Sequence, residues 1–192
     1  MQNTPETRNS LLIRIRDASD DTAWNEFASI YRPVIYRIAR IRGLQDADAN
    51  DLVQHVLLSV SKAIDRFDAT RKDAKFRTWL VKITRNAIVD RLRRATPDNA
   101  IGGTSVMTAL ANSPTPSEDE LLREYQRAVF RKAALAVRSE FNESTWLAFW
   151  ATSVDGQSCE QVARALGKSV GSVYTSRSRV MHRLKQKVRD YE

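Results

Sequence analysis

Apolar residues recur along this chain at intervals of three and four, the spacing of one helix face, and no stretch alternates with a period of two for long enough to make a strand. The expected fold class is therefore all-α. Leu11 to Arg16 makes a first helical turn or two. Asp20, Asp21 and Thr22 then cap a helix bearing Trp24, Phe27, Ile30 and Tyr31, and Pro33 is expected to interrupt or restart it. Val34, Ile35, Ile38 and Ile41 carry the stripe on to Gly43. The acids from Asp46 to Asp51 offer caps to a helix with Leu52, Val53, Val56, Leu57, Val60 and Ile64 inward, ending near Phe67. Residues 68–75 are polar and read as a loop. From Phe76 to Arg94 (FRTWLVKITRNAIVDRLRR), Phe76, Trp79, Leu80, Ile83, Ala87, Ile88 and Leu92 share one face, with Arg77, Lys82, Arg85, Arg91, Arg93 and Arg94 largely on others.

The helical pattern lapses from Thr96 to Glu118. Pro97, Gly102, Gly103, Pro114 and Pro116 lie there among Thr, Ser, Ala and Asn, without Lys or Arg, and a segment that can bury so little reads as a flexible linker. The expectation is two small helical domains, 1–95 and 119–192, joined by a linker at 96–118. Ser117 with Glu120 resembles a capping box, and Leu121, Leu122, Tyr125, Val129, Leu135 and Val137 open the second domain.

Residues 142–189 (NESTWLAFWATSVDGQSCEQVARALGKSVGSVYTSRSRVMHRLKQKVR) carry the clearest punctuation. Asn142 caps a helix with Trp146, Phe149 and Trp150 on one side, and Gly156 supplies the left-handed residue that stops it. Ser158 and Gln161 form an S-x-x-Q capping box for a helix with Val162, Ala163 and Leu166 inward, which Gly167 ends after about two turns. Ser169 caps a longer helix with Val170, Val173, Val180, Leu184 and Val188 on one face. Short helix, Gly turn, longer helix is the helix-turn-helix pattern. With Val173 inward, turns of roughly 100° per residue set Gly171, Thr175, Ser178 and His182 outermost, flanked by Ser172, Tyr174 and Arg179. Such small and polar groups near a helix start suit base edges in a major groove. Lys168, Arg177, Arg179, Arg183, Lys185, Lys187 and Arg189 follow one another with no acid between Lys168 and Arg189, a run that favours phosphates. The plainer alternative is a solvated basic helix on a bundle, which needs neither the paired caps nor the Gly turn.

Composition adds direction. Apolar residues make up 42% of the 192, enough for real cores, and a formal charge of +8 points to a polyanionic partner without separating nucleic acid from a membrane surface. There are 18 basic and 12 acidic residues in 1–95, none and 3 in 96–119, and 13 and 8 in 120–192, so two basic blocks flank an acidic joint. One cysteine excludes an intramolecular disulfide, and with only His55 and His182 there is no ligand set for structural zinc. Cys159 reads as a small buried residue. No Gly-rich phosphate loop, metal cluster or nucleophile beside a base supports an enzyme, and no cofactor is expected. The N-terminus lacks the basic and apolar regions of a signal peptide and no run approaches the roughly 18 apolar residues of a span, so a cytoplasmic protein without membrane insertion is expected.

Two helical domains, each with a basic helix, joined by an acidic Pro/Gly linker, resemble a bacterial extracytoplasmic-function (ECF) sigma factor over most of the chain. DADANDLVQHVLLSVSKAIDRFD, from Asp46, resembles the core-polymerase-binding helix of region two. FRTWLVKITRNAIVDRLRR, from Phe76, resembles the helix that engages the minus-ten element, and SCEQVARALGKSVGSVYTSRSRVMHRL resembles region four, which reads the minus-thirty-five element. The resemblance implies transcription initiation with core RNA polymerase and promoter DNA as partners, and leaves an anti-sigma protein open as a third. It implies that Asp51, Leu52 and Gln54 face the clamp helices of the polymerase. Asn86 and the 68–75 loop would handle the opened minus-ten strand, among minus-ten residues Arg77, Lys82, Arg85, Arg91, Arg93 and Arg94, the last three on phosphates. Ser172, Tyr174, Thr175, Ser178, Arg179 and Arg183 would meet the minus-thirty-five duplex. His55 stands where the family usually has Glu, Ser176 and Arg177 replace a commoner Arg-hydrophobic pair, and regions one and three of housekeeping sigma factors have no counterpart.

A free-standing regulator that binds an operator by itself explains residues 142–189 and leaves the first half idle. A membrane-surface or RNA-binding helical protein accounts for the charge and little else. Phe76 and Trp79 invite a base-stacking role, yet they share a face with Leu80 and Ile83 and are expected in the core.

Overall fold

A computed structural model describes residues 7–67, 75–95 and 116–191, the side chains of 92–95 excepted. All but Lys75 of the expected loop at 68–75, and residues 96–115 of the expected linker at 96–118, lie outside the described residues. Among those described the chain is all-helical, as its periodicity implied: α1 (Asn9–Arg14), α2 (Asp21–Ile41), α3 (Asp46–Ala63) with a 3-10 turn (Ile64–Arg66), α4 (Phe76–Ala95), α5 (Glu118–Arg138), α6 (Glu143–Ser153), α7 (Cys159–Leu166) and α8 (Val170–Arg189). Two compact units divide between Ala128 and Val129, inside α5.

The first unit is built on α2. Asp20 accepts the Ala23 amide at 2.8 Å and starts the helix. Pro33, expected to break it, lies inside a continuous helix. The missing N–H and ring clash cost about 3 kcal/mol, but Ile30, Tyr31, Val34 and Ile35 around it are fully buried, each contributing roughly 1.5–3 kcal/mol. Tertiary burial therefore overrides the local break. The helix stops at Gly43, whose φ of 83° is left-handed.

Helix α3 starts without a side-chain cap at Gln45, and Asp46, expected to cap, accepts the Tyr36 hydroxyl instead. Its inward face places Leu52, Val53, Val56 and Val60 against α2 and α4, and the 3-10 turn brings Ile64 and Phe67 in behind them. Phe27, Tyr31, Phe67, Phe76 and Trp79 form a chain of ring contacts with centroids 4.6 to 5.9 Å apart, which accounts for Phe76 and Trp79 as core and rim of the core. The first half of α5 belongs to this unit: Leu121 and Tyr125 are fully buried, and Tyr125 lies 5.7 Å from Tyr31. Only one arm of the expected capping box forms there. Ser117 Oγ accepts the Glu120 amide at 3.1 Å, but the Glu120 carboxylate reaches Arg42 on α2.

The second unit closes around Ala133, Ala134 and Val137 of α5, Trp146 and Phe149 of α6, and Val180 and Leu184 of α8, with Trp150 packed alongside. A second cluster joins Ala148, Cys159, Val162, Ala163 and Val173, so Cys159 is the small buried residue expected. Leu135 does not follow its stripe. It is 79% exposed, because the inward face of α5 is taken by the small residues Ala133, Ala134 and Val137 on either side of it.

Candidate nucleic-acid interface

The helix-turn-helix is set by local chemistry. Asn142 accepts the Thr145 amide at 2.9 Å and starts α6. Ser158 Oγ accepts the Gln161 amide at 3.2 Å while Gln161 Oε1 accepts the Ser158 amide at 3.0 Å, both arms of the capping box. Gly167, at φ 62°, ends α7 in the left-handed conformation and Lys168 donates its amide back to Ala163 at 2.9 Å. Ser169 then accepts the Ser172 amide at 3.2 Å and α8 begins. Three residues of connection, Gly167, Lys168 and Ser169, thus set the angle between α7 and α8.

Val173, Ser176, Val180 and Leu184 face inward along α8, which leaves Ser172, Tyr174, Thr175, Ser178, Arg179 and His182 exposed. Thr175 donates its hydroxyl to the Gly171 carbonyl at 2.9 Å, so its oxygen is left as an acceptor. The Tyr174 hydroxyl is held above the ordinary phenol range by hydrogen bonding with the Cys159 thiol and by nearby charge. Lys168 Nζ donates to Ser144 Oγ at 2.8 Å and is partly committed to α6. Arg183 is committed further. Its guanidinium makes a forked pair with Glu140, Nε to Oε2 at 2.5 Å and Nη2 to Oε1 at 2.9 Å, which pulls the Glu140 carboxyl below its usual range.

In the first unit the expected polymerase-facing residues separate. Leu52 is 3% exposed and belongs to the core, whereas Asp51 and Gln54 are exposed. Gln54 borders a hollow of about 440 Å³ between α2 and α3, with Arg32, Tyr36, Asp46 and Asn50. Asp51 and His55 border a cleft of about 210 Å³ between α3 and α4, with Ala87, Asp90 and Arg91. Leu58 on the same outward face is also exposed, and sequence reasoning passed it over because it lies next to the inward Leu57 rather than on a stripe of its own.

On α4, Lys82, Arg85 and Asn86 are exposed as expected. Arg77, expected on the basic surface, is 7% exposed, one residue after the buried Phe76. Arg91 bonds to Asp48 and lies 3.4 Å from Asp51, and the bond to Asp48 raises its pKa above the ordinary arginine value. The side chains of Arg93 and Arg94 lie outside the described residues.

Exposed amides, hydroxyls and cations on α4 and α8, each backed by a largely apolar inner face, can meet bases and phosphates without disturbing the core. Residues 27–97 match Sigma-70 region 2. Over about nine-tenths of its length the chain is also similar to ECF RNA polymerase sigma factors: SigE of Mycolicibacterium smegmatis, 29% identical over 91% of this chain and 65% of the relative; SigM of Mycobacterium tuberculosis, 27% over 93% and 84%; and SigW of Bacillus subtilis, 27% over 89% and 91%. The chain thus spans just under two thirds of the length of the SigE relative. Among the described residues no group of His, Cys, Asp and Glu is placed to hold a metal ion, and no helix is long and apolar enough to cross a membrane.

Proposed function

We propose that this chain is a sigma factor of the ECF type, which binds core RNA polymerase and directs promoter recognition and opening. The observation that carries the reading is the region 2 match over residues 27–97, a unit for which a free-standing operator-binding regulator has no use. The exposed face of α3, with Asp51 and Gln54, meets the polymerase, and Leu52 supports that face from within. Lys82, Arg85, Asn86 and Arg91 on α4, continued by Arg93 and Arg94, meet minus-ten DNA, and Arg77 braces the start of that helix from its buried position. Ser172, Tyr174, Thr175, Ser178 and Arg179 meet the minus-thirty-five duplex, joined by Arg183 once it leaves Glu140.

The chain works as a cytoplasmic specificity subunit and is not itself an enzyme. Residues 1–95 act on the minus-ten element and 119–192, through the helix-turn-helix, on the minus-thirty-five element, with 96–118 as the joint and the start of α5 packed on the first unit. An anti-sigma protein is a further partner of this class. The test mixes the chain with core polymerase and supercoiled promoter libraries: core-dependent, sequence-selective initiation is expected, while tight operator binding by the chain alone, without core association, would establish the free-standing regulator.

A further inference from the structure

Arg91 touches both proposed surfaces. It projects from α4, the helix read as DNA-facing, yet its guanidinium Nη2 donates to Asp48 and lies 3.4 Å from Asp51, both on α3, the helix read as polymerase-facing. The side chains are 37% exposed for Arg91, 39% for Asp48 and 64% for Asp51. An ion pair open to water to that extent adds little to the fold, so it exchanges readily for another anion. Asp90 and His55 line the adjoining cleft. A phosphate approaching Arg91 therefore meets two carboxylates already on the guanidinium, and a partner that takes Asp51 away lowers that barrier.

We propose that Asp48 and Asp51 hold Arg91 in place of a DNA phosphate, so that capture of Asp51 by polymerase and capture of Arg91 by single-stranded DNA favour one another. Asp48 is then a positioning residue for Arg91, acting through it and touching neither partner. The inference rests on the sigma-factor reading. Because coupling between two sites is reciprocal, it makes opposite demands on the two affinities when the pair is cut from either side.

The experiment uses the full chain, labelled oligo-dT and core RNA polymerase. Asp48→Asn keeps the shape of the side chain; removing one negative charge a few ångströms from the guanidinium should tighten oligo-dT binding about three- to fivefold. Arg91→Ala should weaken it and lower the salt slope by about 0.7, one phosphate contact on a single strand. In the Arg91→Ala background Asp48→Asn should lose most of its effect; equal tightening in both backgrounds would mean a general charge effect and overturn the mask. Arg91→Ala should also raise affinity for core about threefold by releasing Asp51, and unchanged or weaker core binding would overturn the coupling. If the wild-type chain does not associate with core, the sigma-factor reading fails and the coupling with it, while the oligo-dT cycle still decides whether Asp48 masks Arg91. Thermal melts of each variant ensure that folded chains are compared.

Discussion

Arg42 and Glu120 face each other in two parallel bonds, Nη1 to Oε1 at 2.8 Å and Nη2 to Oε2 at 2.5 Å, across 78 residues of sequence. Only 5% of the Arg42 side chain and 17% of the Glu120 side chain reach solvent, so this pair differs from a surface salt bridge. It fastens the first turn of α5 to the end of α2, beside the ring contact of Tyr31 with Tyr125.

Replacing Glu120 by Gln should therefore cost about 2 kcal/mol at neutral pH, the worth of a charge-assisted bond in a partly desolvated site. Arg42 holds the Glu120 carboxyl below its usual range. A carboxylate whose folded pKa is depressed contributes stability above its unfolded pKa and loses it as pH falls through the folded value. The gap between wild type and Glu120→Gln should accordingly narrow in acid, below the ordinary glutamate range. Denaturant titrations at neutral and acidic pH measure this, and equal stabilities at neutral pH would refute it.

Thr84 gives a prediction of opposite sign. It is fully buried on α4 and its hydroxyl has no hydrogen-bond partner. Thr84→Val retains the branched shape and its rotamer preference while removing an unsatisfied polar group, which should stabilise the protein by about 1 kcal/mol. A fall in melting temperature would show that the hydroxyl is satisfied by a buried water.

What could be read from the chain, and what could not, divides by the distance over which the determining interaction acts. Ser158 with Gln161, Gly167, Ser169 and Asn142 were legible because a cap is completed within three residues. The inward stripes of α3 and α8 were legible because periodicity counts many residues at once. Pro33, Arg77 and Leu135 were not, since whether a helix survives a proline, or which side chain ends inside, depends on what packs against it. The same limit hid Glu120 on Arg42, Arg91 on Asp48 and Arg183 on Glu140, separated by 78, 43 and 43 residues. Two residues assigned to DNA by their charge, Arg91 and Arg183, and one assigned to a cap, Glu120, thus have partners that no local pattern reveals.

The Arg183–Glu140 pair is open to solvent, at 38% and 37% exposure, so cutting it should change stability by less than about 1 kcal/mol. Glu140→Gln should then free a cation at the edge of the duplex-facing surface of α8, tightening holoenzyme binding to a promoter and steepening the salt slope by about 0.9. Arg179→Ala on the same surface should cost on the order of 1–3 kcal/mol and relax preference at one position if its guanidinium reads a guanine. An unchanged affinity and salt slope in Glu140→Gln would remove Arg183 from the interface.

Asn86 is exposed on α4 between Arg85, also exposed, and Ala87, which is buried. It therefore stands where the basic surface begins and the core ends. Its amide donates and accepts at once, which suits the edge of an unstacked base. If it acts there, Asn86→Ala should leave core binding at wild-type level and shift stability by less than about 0.5 kcal/mol, as expected for a change away from packed or capped sites. Promoter opening should fall. A pre-melted template should restore only part of the loss, because melting removes the cost of opening but does not replace the contact to the base. Full restoration would place Asn86 in the melting step alone, and a large drop in melting temperature with normal opening by the folded fraction would show that its amide serves the fold.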